Sequence, residues 1–419
     1  MPHLSRFAAA LVFSGLTLAA APGRAADVRL DSATLATGEK GKISFKTIVL
    51  TDCNLTQAEV ASLFSGALNR EETAALLERL SASHIAIDQA NVLNERGDSF
   101  VLHGLSADRV ARGSADSIAL ASSDAVLPGD SGDSTLHGGP GHIDKVAIPG
   151  LAAAVHTGDL AAAASRFAHL NWDGFEMSVP DKETPAGANG GNRILIHGGP
   201  IVMDQTFDAD GVPQDTTANV AGLSLKMPPE SKGAAMLAAF GYSSIDADLR
   251  YAGRYEAASR QYRLLDYSLD AHALGKIGLS GQFSGVDKAA FTGDKAARGA
   301  AMQAAAVDWA QVNLVNSGLF EKVVALNSLT HGKPPEAIKA EWRAIVAQAP
   351  MLFSGAPGIG VVAQAVDHFI ADPKNLTLHV QGKDGALKIS DFASIEEPMA
   401  FLNRLAITAQ ADAPPPAKP

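Results

Sequence analysis

The chain has 419 residues, 47% of them hydrophobic and 19% charged, with a net charge of −11. That composition builds a real core and excludes wholesale disorder. The acidic balance, with no long Lys/Arg cluster, excludes a phosphate-tracking nucleic-acid binder and disfavours an anionic membrane surface as an electrostatic partner.

The N-terminus reads as a cleavable signal peptide over residues 1–25. Arg6 precedes the apolar run Phe7–Ala20, which is shorter than the ~18 residues a membrane helix requires. Gly23 and Ala25 are small residues suited to cleavage after Ala25, so the protein is expected to be periplasmic, with no transmembrane segment once the signal is removed. Cys53 is the only cysteine, so no internal disulfide forms and the thiol is expected to be a small buried hydrophobe.

The stretches "DVRLDSATLA" and "KISFKTIVL" alternate, placing Val28 with Leu30 and Ile43 with Phe45 on one strand face. The period then changes to helical. Thr56 with Glu59, and Asn69 with Glu72, are capping boxes that open two helices. "ASHIAIDQANVLNERGDSFVLHG" reads as strand, turn, strand, with Ile85 and Ile87 and then Phe100 and Leu102 alternating. Helix followed by alternating strand recurs in "LAAAASRFAHLNWDGFEMSVPD", in "AAMLAAFGYSSIDADLRYAGRY" and from Val361 to Ser390.

Ser243–Gly285 reads as a three-stranded antiparallel meander, and Phe320–Ala371 as mostly helical, with Ile338, Trp342 and Ile345 on one stripe. The Gly/Ser/Asp/Pro-rich stretches Asp124–Asp144 and Asp181–Asn192 read as long surface loops. The expected class is α+β, mainly antiparallel, with helix-plus-β-hairpin units repeated along the chain and a helical segment near the C-terminus. The expected domains are an N-terminal helix/strand domain at 26–125, a larger α+β domain at 145–411, and a disordered tail at 412–419.

Several short motifs invite a catalytic reading. "GDSGDSTLHGGPG", Gly129–Gly141, joins the start of a trypsin-like nucleophile loop at Ser131 to an α/β-hydrolase-like oxyanion loop at His137. The first lacks its continuation and a histidine in the right context, since His84 and His103 sit in alternating stretches. The second lacks a downstream G-x-S-x-G elbow, and "HGGP" occurs again at His197–Pro200, which suits a recurring turn. "FDADG", Phe207–Gly211, has Thr206 and Thr217 where a calcium loop needs carboxylates. Trp309 and Trp342 read as core aromatics. No catalytic, cofactor-binding or metal residue is assigned, and no cofactor is expected.

The passages Leu264–Asp287 and Asp372–Phe392 resemble, in pattern, the YdgA-like and AsmA-like exported envelope proteins of Gram-negative bacteria. The resemblance implies a place in the cell envelope and, for some members, lipid handling. The expected function is therefore non-enzymatic, binding or structural, with a lipid or another envelope component as partner and no nucleic acid. Two alternatives stand beside it: an envelope hydrolase whose site is assembled from distant residues, and a protein-interaction repeat module.

Overall fold

The computed structural model describes residues 26–36, 42–94, 97–157, 165–181, 192–292, 295–353, 358–393 and 398–412. Residues 1–25, expected as a signal peptide, the Ala-rich stretch 158–164, residues 182–191 and the tail from 413 lie outside them. The chain is α+β and divides into two compact units, Met1–Gln205 and Thr206–Pro419.

The first unit begins with β1 (Ala26–Leu30), β2 (Ala33–Ala36), β3 (Lys42–Phe45) and β4 (Ile48–Cys53). Each alternating stretch of the sequence is thus two short strands, because both runs break to let β3 and β4 pair in turn with one long neighbour. Helices α1 (Gln57–Ser65) and α2 (Arg70–Leu77) follow, and both capping boxes form. Glu59 accepts the Thr56 N–H at 2.8 Å and Glu72 accepts that of Asn69 at 2.9 Å, so orphan donors at each helix start are satisfied by side chains three residues away. Gly66, at φ 67°, closes α1 in the left-handed region.

The sheet continues through β5 (Ser81–Leu93), β6 (Ser99–Ala111), β7 (Ser114–Leu120), β8 (Ser122–Leu127), β9 (Ser134–Gly138) and β10 (Gly141–Ala147). After α3 (Leu151–Thr157) come β11 (His169–Trp172), β12 (Phe175–Pro180), β13 (Arg193–Gly198) and β14 (Ile201–Phe207). Asp124–Asp144, expected as a loop, is therefore largely paired strand and lies inside the first unit.

From β6 the sheet divides into two ribbons. One is β7, β10, β11 and β14; the other is β8, β9, β12 and β13. The chain passes from one ribbon to the other at a crease marked by Gly104, Ala121, Gly139–Pro140, Asp173–Gly174 and Gly199–Pro200. Both "HGGP" copies lie on this crease. Side chains at Gly138 and Gly198 would overlap the rings of Trp172 and Phe175, which stack with centroids 5.8 Å apart. Gly174 has φ 117°, and a side chain there would run into the Gly198 carbonyl. The glycines admit aromatic rings and close backbone approach, and Trp172 Nε1 donates to the Gly139 carbonyl at 2.9 Å.

One face of this sheet is covered by the helices. Ile48, Leu50, Ile87, Val92 and Val110 meet Val60, Leu63, Leu77 and Leu151 in one core cluster. Cys53 is buried within it, as expected, and burial pushes its thiol up from the ordinary range. The opposite face is polar.

The second unit holds β15 (Pro213–Lys226), α4 (Lys232–Ala239), β16 (Ile245–Glu256), β17 (Gln261–Ala271) and β18 (Gly275–Ser284). Then come α5 (Ala289–Thr292), α6 (Lys295–Ala304), β19 (Ala306–Asn316), α7 (Leu319–His331), α8 (Pro335–Leu352) and α9 (Ile359–Ala371). It ends with β20 (Asn375–Gly382), β21 (Leu387–Lys388), α10 (Ile389–Ala393), α11 (Pro398–Asn403) and β22 (Leu405–Ala411). The strands pair antiparallel in the order β15, β16, β17, β18, β19, β20, β22. The meander read from the sequence is β16–β18. The strand after α9 pairs with β19 and β22 instead of forming a hairpin with the next strand.

Candidate apolar binding face

Period-two alternation in β15–β20 puts alternate residues on one face, and the register stacks them into rows. Val220, Leu249, Leu269, Ile277, Leu314 and Leu376 are successive cross-strand partners. Two residues along each strand, Ala218, Tyr251, Tyr267, Leu279, Val312 and Leu378 form a parallel row. Directly opposed residues point to the same side of a sheet, so the two rows make one continuous apolar surface. The residues between them carry the polar face, on which Arg250, Ser268, Gly278, Asn313 and Thr377 are aligned.

The apolar face is closed at two margins. At one, Tyr255 and Tyr262 pack with Phe283 and Phe291, and Val212, Val286 and Ala305 complete a small buried cluster. The Tyr251 and Tyr262 hydroxyls meet over Gly253, where a side chain would collide with both. Burial, and then the Tyr251 hydroxyl, push the Tyr262 phenol well above its ordinary range. At the other margin α9 starts against Ile407, a neighbour of Val380 on this face; a Cβ on Gly358 would stand 3.2 Å from that of Ile407. Between the margins the surface is open. Tyr267 is 49% exposed, Leu269 40%, Ile277 51% and Leu279 36%, and these four are mutual neighbours on β17 and β18. Six strands at about 4.8 Å spacing give the rows a length of about 24 Å. One leaflet of hydrocarbon, half of a core about 30 Å thick, is shorter than that.

The open face of the first unit has a different chemistry. His84, Asp108, Ser117, Asp144, His169 and Asp204 are successive partners across β5, β6, β7, β10, β11 and β14. Asp124, His137, Glu176 and His197 form a second row across β8, β9, β12 and β13. His84 Nδ1 lies 2.7 Å from Asp108, His169 Nδ1 2.7 Å from Asp204, and His137 Nδ1 2.8 Å from Asp124. His103 Nε2 also reaches Asp124, at 3.2 Å. The His84 imidazole and Ser117 hydroxyl hold the Asp108 carboxyl below the usual range, and His137 with His103 does the same for Asp124.

The motif residues of the sequence fall into these structural roles. His137 engages Asp124, while Ser131 sits exposed in the turn before β9. His84 belongs to the first row, and His103 reaches Asp124 of the second from a neighbouring register position. Asp208 and Val212 exchange bonds around Gly211, making "FDADG" a tight turn, and Lys288 pairs with Asp210. Among the described residues no group of three or more His, Cys, Asp or Glu is arranged to hold a metal. Trp342 packs edge-on against Phe320, 5.8 Å between centroids, whereas Trp309 stacks on His379 on the polar side of β19. Ile345, read on one stripe with Ile338 and Trp342, is 64% exposed, whereas Ile338 is buried. A cleft of about 560 Å³ is lined by Gln214, Glu256, Arg263 and the Arg254–Asp215 ion pair, together with Tyr255 and Ala257.

Residues 268–412 match a family model described only as "Uncharacterized protein". The match runs from the second half of β17 through β22, and so includes Leu269, Ile277 and Leu279 of the open face. No curated protein matches the chain.

Proposed function

We propose that this is an exported protein of the cell envelope that binds an acyl chain, or a similar long apolar ligand, on the open sheet face of its second unit, without catalysing a reaction. The observation that carries this reading is the contiguous Tyr267–Leu269–Ile277–Leu279 surface, half exposed within two longer apolar rows. Soluble proteins rarely leave such continuous apolar area uncovered without a use for it. The shape favours a linear hydrocarbon, which can lie along a row and touch one side chain from each strand. The aromatic margin and α9 bound the site on two sides. The signal-like N-terminus supports export.

Native mass spectrometry of the chain recovered from the periplasm, followed by organic extraction and lipid analysis, tests the proposal. Co-purifying lipid or fatty acid, depleted in an Ile277→Glu variant that still folds, is the expected result. A ligand-free protein that does not take up a fluorescent fatty acid would refute it.

A further inference from the structure

The open sheet face of the second unit carries one polar spot, at the edge of its aromatic margin. Tyr251 belongs to the second apolar row, directly opposite Tyr267, which is 49% exposed. Its hydroxyl meets that of Tyr262, and the pair sits above the Gly253 backbone, at floor level on the face. Each phenol has one proton to donate and lone pairs to accept with. One hydroxyl donates to the other, so this single bond leaves the second proton uncommitted. Among the described residues the two hydroxyls have only each other as hydrogen-bond partners. The surroundings are uncharged. Burial and Tyr251 alone raise the Tyr262 phenol, so it remains a protonated donor on which no ionised side chain acts. Ala218, Leu264, Tyr267 and Leu279, which share the face around the pair, add no charge.

We propose that the ligand of this face is an esterified acyl chain whose ester carbonyl accepts the spare proton of the Tyr251–Tyr262 pair. The assignment rests on the sheet-face reading above and adds to it the class of ligand and its direction. With the carbonyl at β16 and β17, the chain runs over Tyr267, Leu279 and Val312 toward β19, a distance of about 14 Å for three strand spacings. A carbonyl oxygen satisfies the donor without bringing charge. A carboxylate could accept the same proton, but it would leave water with no cation to receive it, which costs more than one hydrogen bond returns. A free fatty acid therefore binds through its chain alone, with its carboxylate left in solvent.

The test is displacement of a fluorescent fatty acid from the full chain by palmitate or by its methyl ester, at about pH 8, where the acid is ionised. The wild type is compared with the double variant Tyr251→Phe, Tyr262→Phe, which keeps the rings and removes both hydroxyls, so that neither is left unpaired. The ester should lose about 5–10-fold in affinity, while palmitate should be unchanged. A second readout needs no variant: the infrared C=O band of an isotope-labelled ester should lie at lower frequency on the wild type than in hydrocarbon solvent. Equal losses for ester and palmitate, an unchanged ester affinity in the double variant, or an unshifted carbonyl band overturns the carbonyl assignment and leaves the sheet-face reading standing. Uptake of neither ligand by the wild type overturns both.

Discussion

Replacing Ile277 by serine divides one side chain's energy between two measurements. Full burial of an isoleucine is worth about 1.5–3 kcal/mol. At 51% exposure roughly half of that is gained on folding, and the other half is available to whatever covers the face. Ile277→Ser should therefore cost about 1 kcal/mol of stability, and about 1 kcal/mol of binding, or roughly a 5–10-fold loss of affinity. Ile345→Ser on α8 is the control: it is similarly exposed but outside the sheet face, and should leave fatty-acid affinity unchanged. Fluorescent fatty-acid titration and denaturant unfolding measure the two effects on the same samples. An unchanged affinity in Ile277→Ser, with the stability loss present, would show that the open face binds no apolar ligand.

Four further outcomes are expected. Leu77→Ala, at a fully buried position in the core under α1 and α2, should destabilise the first unit by about 2–5 kcal/mol in denaturant titration. Gly253→Ala should separate the Tyr251 and Tyr262 hydroxyls and raise tyrosine accessibility in a spectrophotometric pH titration, because the new methyl occupies their meeting point. The Asp108 and Asp124 carboxyls are held below the ordinary range, so their contribution is present above the normal carboxylate pKa of 3.8 and is lost as pH falls below it. Asp124→Asn should accordingly flatten the acid limb of a stability–pH curve. Lys145, exposed at φ 51°, should be replaceable by glycine with a gain of up to ~1 kcal/mol, read by thermal unfolding.

What the sequence disclosed depended on how far apart the interacting residues lie. The caps of α1 and α2 use partners three residues away, so Thr56, Glu59, Asn69 and Glu72 announce them. The β16–β18 meander is legible because its strands are long and adjacent in the chain. Asp124–Asp144 reads as loop because its glycines and serines carry low strand propensity. Its strands are held by partners elsewhere: Gly138 accommodates Trp172, and His137 meets both Asp124 and Glu176. Alternation identifies which residues of β17 and β18 share a face, but an alternating strand looks the same whether its apolar side is covered or open. The apolar face was thus half visible: its members could be named, and its exposure could not. The histidine–carboxylate rows were invisible, since they exist only once six strands are in register.

Those rows bear on how the first unit finds its pairing. A one-residue slip would turn the buried apolar side chains to solvent, so burial alone forbids it. A two-residue slip is different, because every side chain keeps its face and only the fit of the packed core opposes the error. On the open face such a slip is conspicuous. Shifting β9 by two residues would set Asp124 against Thr135 or Gly139 in place of His137, and shifting β11 would strip His169 from Asp204. The penalty at each strand is a few tenths of a kcal/mol to about 1 kcal/mol for a lost cross-strand histidine–carboxylate pair, and it recurs along both ribbons. The exposed face thus adds its own check on strand pairing where the inside–outside pattern alone gives none.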